Sequence, residues 1–448
     1  MSDKEAERFR VQRKRSSPPS DARTVAAHAL DAILRRGRTL DQSLDAAPGL
    51  DALTSRDSAF ARLLLLTTLR RIGQIDAFLT GLMDRPLRAR RGAVQDLLRL
   101  GIAQLAFLET PAHAAVASTV ALAQGQRLAP YRGLVNAVLR RAAREHGAIA
   151  DLDAPRLNTP DWLWQSWCSA YGEARCRAIA ETHSSEPPLD LSLVSDAPER
   201  IAELCAALDA RRLPGGSLRL RGADDVTRLA GYEAGQWWVQ DAAAALPARL
   251  LGPVAGKRVL EIGAAPGGKT AQLSAAGAFV TAVDRSAARL GRLRENLARL
   301  GLNAEIVEAD ALDWHPTEPF DTVLLDAPCT ATGTIRRHPD VPHLRAPADV
   351  NRLADLQTRL LARAAASVAR GGILVYASCS LQPEECERRV EAFLESAPNF
   401  ARLPVRADEL EDLGEAVTAA GDLRTLPCHW AERGGMDGFY AARLRHQP

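Results

Sequence analysis

The stretch EIGAAPGGKT, residues 261–270, decides the fold. It continues the apolar pair Val259-Leu260, and Gly263, Gly267 and Gly268 turn the chain into the helix-forming residues that follow. A short buried strand that ends in a glycine-rich loop and restarts as a helix opens a doubly wound α/β sheet, whose ligands bind beyond the carboxyl ends of its strands. Outward from it, strand patterns recur at 258–262, 279–283, 304–308, 320–325 and 372–377, separated by helical stretches such as Ala287 to Leu300 and Val350 to Ala369. This alternation predicts a mostly parallel, Rossmann-like domain over residues 255–448.

The loop itself reads two ways. Gly263, Gly268, Lys269 and Thr270 satisfy the phosphate-binding pattern G-x-x-x-x-G-K-[ST], and the strand ending at Asp326 could hold its Mg²⁺, so a nucleotide hydrolase is the rival reading. Against it, Glu261 places a carboxylate where a polyphosphate would be repelled. Asp284 ends the second strand where an acid accepts ribose hydroxyls, and Asp310 follows the third where an adenine edge would lie. Acids at successive strand ends suit S-adenosylmethionine, a nucleoside with a sulfonium cation and no phosphate.

Two thiols sharpen the chemistry. DAPCTATGT, residues 326–334, puts Asp326 and Cys329 at the end of the fourth strand, and GILVYASCS, residues 372–380, puts Cys379 at the end of the fifth. In a doubly wound sheet both ends face the cofactor loop, so the thiols can share one pocket. Carbon 5 of a pyrimidine is too weak a nucleophile to take a sulfonium methyl until a thiolate has added at carbon 6. Asp326 is placed to contact N3 and the exocyclic amine of a cytosine, and Lys269 is a candidate neighbour to activate a thiol.

The remainder sets the context. The 448 residues are 46% hydrophobic and 25% charged with a formal net charge of +2, so basic surface must be local. Seven scattered cysteines form no CxxC pair and no metal-ligand spacing, which predicts reduced thiols and no metal. Without a membrane-length apolar run or a secretory leader, the expected location is cytoplasmic. Residues 1–20 predict a disordered basic tail. From Asp21, apolar stripes at helical spacing (Val25, Ala29, Ile33; Val94, Leu98, Ile102; Val135, Val138, Leu139) predict an all-helical domain over 21–147. Its later half is rich in arginine, including Arg85, Arg88, Arg90, Arg91, Arg140 and Arg141, either a solvated face or an RNA phosphate contact. Residues 148–254 read as a small α+β connector, in which Trp162, Trp164 and Trp167 form the core face of a helix.

AAPGGKT at 264–270, DAPCTATGT at 326–334, RRHPD at 336–340, SCS at 378–380 and GGMDGFYAARL at 434–444 resemble the motifs of the Nop/Sun family of RNA cytosine-C5 methyltransferases. YRGLVNAVLRR at 131–141 is similar to the NusB-like domain fused to the front of the bacterial RsmB (Sun/Fmu) branch, and WVQDAAAAL at 238–246 to the segment that leads into catalysis. The resemblance implies S-adenosylmethionine bound by Gly263, Ala264, Ala265, Pro266, Gly267, Gly268, Lys269, Asp284, Asp310 and Asp326. It implies Cys379 as nucleophile and Cys329 as the thiol that assists product release. The substrate it implies is one cytosine of 16S ribosomal RNA. A base that has to reach two thiols deep in a sheet must be unpaired or flipped, so unassembled or partly opened RNA is expected, with Arg336, Arg337, Arg140 and Arg141 as its contacts and a monomeric enzyme. Other RNA targets, or a non-catalytic NusB-like binding factor, are the alternatives. The sequence departs from the family pattern at Gly263, Ser378 and His343, where Cys, Thr and Trp are usual.

Overall fold

The computed structural model describes residues 21–448 apart from 86, 88–91, 221, 223 and 224. The expected basic tail and Arg88, Arg90 and Arg91 therefore lie outside the described residues. The chain divides into two compact units, a helical one ending at Asn158 and a second from Thr159 to Pro448. No described helix is long and apolar enough to cross a membrane.

The helical unit begins where Asp21 accepts the backbone N–H of Arg23, capping the helix Ala22–Arg36, and that helix stops at Gly37 in the left-handed region. Its stripe of Val25, Ala29, Leu30 and Ile33 is buried, as are Leu97, Leu98 and Ile102 of the helix Gly92–Phe107. Gly101 of that helix lets Arg132–Glu145 come close: a Cβ there would lie 2.6 Å from a methyl of Leu139. The unit runs past the expected boundary at 147. Asn158 Oδ1 accepts the backbone N–H of Gln74 at 2.8 Å, and Gln74 Nε2 donates to the Ile149 carbonyl at 2.7 Å, which ties residues 148–158 to the helices.

The second unit opens with the helices Asp161–Tyr171 and Glu173–His183. A four-stranded antiparallel sheet follows, formed by β1 (Leu189–Leu193), β2 (Arg211–Arg212), β3 (Leu218–Leu220) and β4 (Trp237–Val239) in the order β2-β3-β1-β4. It does not stand apart as a domain. Trp238 and Leu213 pack in one core with Val259 of the large sheet and Leu293 of the helix Ala287–Leu300, while Leu163, Trp167 and Ile179 pack with Ile335 and Leu381. Burying these groups together stabilises the two sheets as one body.

The large sheet comprises β5 (Arg258–Ile262), β6 (Phe279–Asp284), β7 (Glu305–Glu308), β8 (Phe320–Asp326), β9 (Val368–Ser378), β10 (Phe400–Arg402), β11 (Leu423–Thr425) and β12 (Phe439–His446). Its order is β10-β12-β9-β8-β5-β6-β7, with β11 paired to β12. The five expected strands are parallel, and the three C-terminal ones, which the sequence pattern did not reveal, are antiparallel. Apolar clusters cover both faces. In register, Ile262 pairs Leu325 and Asp326 pairs Ala377, so the ends of β5, β8 and β9 open on one edge.

Candidate active site

At that edge the glycine-rich loop is stitched to the neighbouring strand: Gly263 and Ala264 donate their backbone N–H groups to the Val283 carbonyl at 2.9 and 3.2 Å. Gly267, at φ +107°, turns the chain into the helix Gly268–Ala275, and a Cβ there would meet Leu293 at 2.8 Å. Asp284 accepts the backbone N–H of Ala265 at 3.2 Å and of Ser286 at 2.9 Å, so it holds the loop as well as lining its cavity.

A cavity of about 120 Å³ is walled by Ile262, Val283, Leu356 and Leu360, with Asp284 and the exposed Asp310 on its rim. Apolar walls and two carboxylates fit an adenine and a ribose diol. A second cavity, of about 510 Å³, runs along the other side of the loop and is lined by Ala264, Gly268, Lys269, Asp326 and Phe439. There Lys269 Nζ lies 2.8 Å from Asp326 Oδ2 and 5.2 Å from the centre of the Phe439 ring. That cation is already paired, and its side chain is only 9% exposed, so it is not presented to a polyphosphate. Glu261 does not supply the expected repulsion. It is buried, accepts the Thr270 hydroxyl at 2.5 Å, and burial pushes it up to about 8, so it is largely protonated at neutral pH.

The structure brings the two strand-end thiols together. Cys329 Sγ and Cys379 Sγ are 3.3 Å apart. The Cys329 contact and burial hold the Cys379 thiol well above its ordinary range, and Lys269 acts in the opposite sense. Cys379 thus rests as a thiol.

The arginines of RRHPD behave differently from the expectation. Arg336 is buried, with Nε 2.7 Å from Asp437 Oδ1 and Nη2 2.5 Å from Asp241 Oδ2. Arg337 pairs with the same two acids at 2.5 and 3.2 Å, and its side chain is 20% exposed on the larger cavity. Arg336 is corrected from an RNA contact to a buried structural cation: it is walled in by the helix Ala242–Arg249, which Asp241 caps, and by the turn before β12. Burial alone would raise the Asp241 carboxyl, but Arg337 and Arg336 more than offset it and hold it below the usual carboxylate range. In the helical unit Arg140 is exposed, while Arg141 is engaged by Glu145 at 3.1 Å and by the Leu82 carbonyl.

Asp241 and Asp437 lie inside the motifs WVQDAAAAL and GGMDGFYAARL without a local mark of their role, and Glu385 lies outside the motifs named above. Their partners are distant in the chain, and only the acid-rich PEE turn after β9 offered a local sign of Glu385.

A model of the family described as 16S rRNA methyltransferase RsmB/F matches residues 248–445, and one of the NusB family matches residues 20–144. Ribosomal RNA small subunit methyltransferase B of Vibrio cholerae is 37% identical over 443 residues, spanning 95% of this chain and 98% of that protein. The protein of the same name from Pseudomonas putida is 38% identical over 438 residues, spanning 94% and 98%. Among solved structures, PH0851 shares the fold with a TM-score of 0.71 at 21% identity, covering 96% of this chain and 99% of that one. A methyltransferase homolog protein from Pyrococcus horikoshii matches with a TM-score of 0.54 at 27% identity, over 65% and 97%. With near-complete coverage by such relatives, the chain belongs to the 16S rRNA methyltransferase RsmB/F family of S-adenosylmethionine-dependent enzymes and carries a NusB domain ahead of its methyltransferase domain.

Proposed function

We propose that this enzyme methylates carbon 5 of one cytosine in 16S ribosomal RNA through a covalent adduct between Cys379 and carbon 6 of the base. The observation that carries this reading is the contact of two thiols from neighbouring strand ends, 3.3 Å apart, beside the Lys269–Asp326 pair. Bound along the Gly263 to Lys269 loop, S-adenosylmethionine supplies an electrophilic sulfonium methyl group. Asp284 and Asp310 take the ribose and adenine side of it.

As the Cys379 sulfur adds to carbon 6, its proton passes through solvent to N3, which makes carbon 5 an enamine carbon able to accept the methyl. The Lys269 ammonium favours the thiolate form. Lys269 also fixes Asp326, whose carboxylate, partly open to the larger cavity, accepts the exocyclic amine and, once N3 is protonated in the adduct, the N3–H, and so selects cytosine. After transfer the carbon 5 proton passes to solvent, its electron pair forms the C5–C6 double bond, and the C6–S bond breaks to expel the Cys379 thiolate, restoring the aromatic ring. Cys329, in contact with that sulfur, assists this release. A base that must reach two thiols at the end of a sheet is unpaired or flipped, which fits unassembled or opened ribosomal RNA. Arg337 at the cavity and Arg140 on the helical unit contact phosphates, and the monomer suffices.

The test is transfer of labelled methyl to 16S RNA by wild type, Cys379→Ala and Cys329→Ala, each also run on a denaturing gel. Cys379→Ala is expected to be inactive and to give no adduct, and Cys329→Ala to accumulate a protein–RNA band. Transfer by wild type that neither substitution alters would reject the carbon 5 mechanism and point to an amine or ribose hydroxyl acceptor.

A further inference from the structure

Past Asp326 and Ala377, the last residues that β8 and β9 pair with each other, the two segments that carry the thiols diverge from that pairing. One carboxyl group joins them there. Glu385 is fully buried at the end of the turn Pro383–Glu385. Its Oε1 accepts the backbone N–H of Thr330 at 2.8 Å and Gln357 Nε2 at 3.3 Å. Its Oε2 accepts the Thr330 hydroxyl and, at 2.5 Å, the Ser380 hydroxyl. Thr330 follows Cys329 and Ser380 follows Cys379, so the carboxyl grips both segments one residue beyond each sulfur. Gln357 adds a third hold, donating also to the Pro328 carbonyl at 2.9 Å.

An apolar side chain would fill such a buried place at lower desolvation cost, so stability alone does not explain an acid there. The product-release step, in contrast, requires the second thiol to meet the adduct formed by the first, and a displacement of about 1 Å in such an arrangement costs on the order of 100-fold in rate.

We propose that Glu385 is a positioning residue: by gripping Thr330 and Ser380 it fixes Cys329 Sγ against Cys379 Sγ and so delivers one thiol to the adduct made by the other. The proposal rests on the two-thiol reading above. It is tested in the full-length protein with Glu385→Gln and, separately, Thr330→Val, which removes one hydroxyl of the grip at nearly constant volume. Two readouts are taken on variants whose melting curves show a folded chain.

The first reads geometry without catalysis. Diamide takes two electrons and two protons from Cys329 and Cys379, forming a disulfide and its own hydrazine, and the linked peptide is quantified by non-reducing mass mapping. Disulfide formation is expected to slow about tenfold or more in both variants, because the bond requires a narrow geometry. The second is steady-state methyl transfer, in which kcat should fall about 100-fold while the KM for RNA and the affinity for S-adenosylhomocysteine stay within about twofold. If Glu385→Gln does not fold, Thr330→Val carries both readouts. Unchanged disulfide rates in a folded variant overturn the proposal, whether or not kcat falls. If Cys379→Ala proves active, the two-thiol reading fails by itself, and a slowed disulfide rate would still support the grip.

Discussion

Gly333 shows how little space separates the segments of the site. Its backbone N–H donates to the Cys379 carbonyl at 2.9 Å, and its own carbonyl accepts the N–H of Gly438 at 2.8 Å. A Cβ at this position would lie 2.0 Å from the Gly438 carbonyl oxygen and 2.8 Å from that of Cys379. These are backbone atoms that cannot rotate away. Gly333→Ala must therefore push the Cys379 segment or the turn before β12 outward. Overpacking of this kind costs about 1–3 kcal/mol, which a urea titration would read as a lower midpoint at unchanged slope. The same displacement falls on a reactive thiol, so methyl transfer should drop more steeply than stability. Wild-type activity in a folded Gly333→Ala protein would mean that the close approach has no bearing on the thiols.

At the scale of elements, the parallel half of the sheet was legible because β5, β6, β8 and the later part of β9 are short apolar runs closed by turn residues, with the loop at the end of β5 and the thiols beyond the ends of β8 and β9. β12 was not. Residues Phe439 to Leu444 are buried, yet Ala441, Ala442 and Arg443 interrupt any apolar signal, and Arg443 is accommodated by Glu409 at 2.8 Å. Its place between β9 and β10 is fixed by long-range pairing that no local pattern announces. Arg336 misled for the same reason. RRHPD looks like a basic loop, but the acids that enclose Arg336 lie 95 and 101 positions away. The pair it makes pins the loop after β8 to the helix Ala242–Arg249 and to the turn before β12. Arg336→Leu would leave Asp241 and Asp437 short of a buried cation, a change that costs about 3–5 kcal/mol. Arg336→Lys should recover only part of this, since an ammonium cannot reproduce the guanidinium's fork across two carboxylates. Denaturant unfolding of both variants checks the order. A variant with undiminished stability and weaker RNA binding would return Arg336 to the role expected from sequence.

At the scale of the whole molecule, a net charge of +2 cannot by itself draw 448 residues to RNA, so affinity has to come from local fields. The helix Arg132–Glu145 supplies one. It buries Val135, Val138, Leu139 and Ala142 on one side and exposes Arg132, Arg140 and Arg144 on the other. Long cationic side chains in water are worth little to the fold, and they gain most by releasing counterions from a polyanion. Arg140→Ala is therefore expected to leave thermal stability and kcat unchanged while weakening RNA binding at every sequence tested. The slope of log affinity against log salt should become shallower by about 0.7–0.9, the value for one lost phosphate contact. Cys379→Ala should bind with the wild-type slope, because a thiol carries no cation to neutralise a phosphate. A gel-shift titration across salt concentrations separates the two. An unchanged slope for Arg140→Ala would assign that arginine face to solvent and move the search for RNA contacts to Arg337 and the walls of the larger cavity.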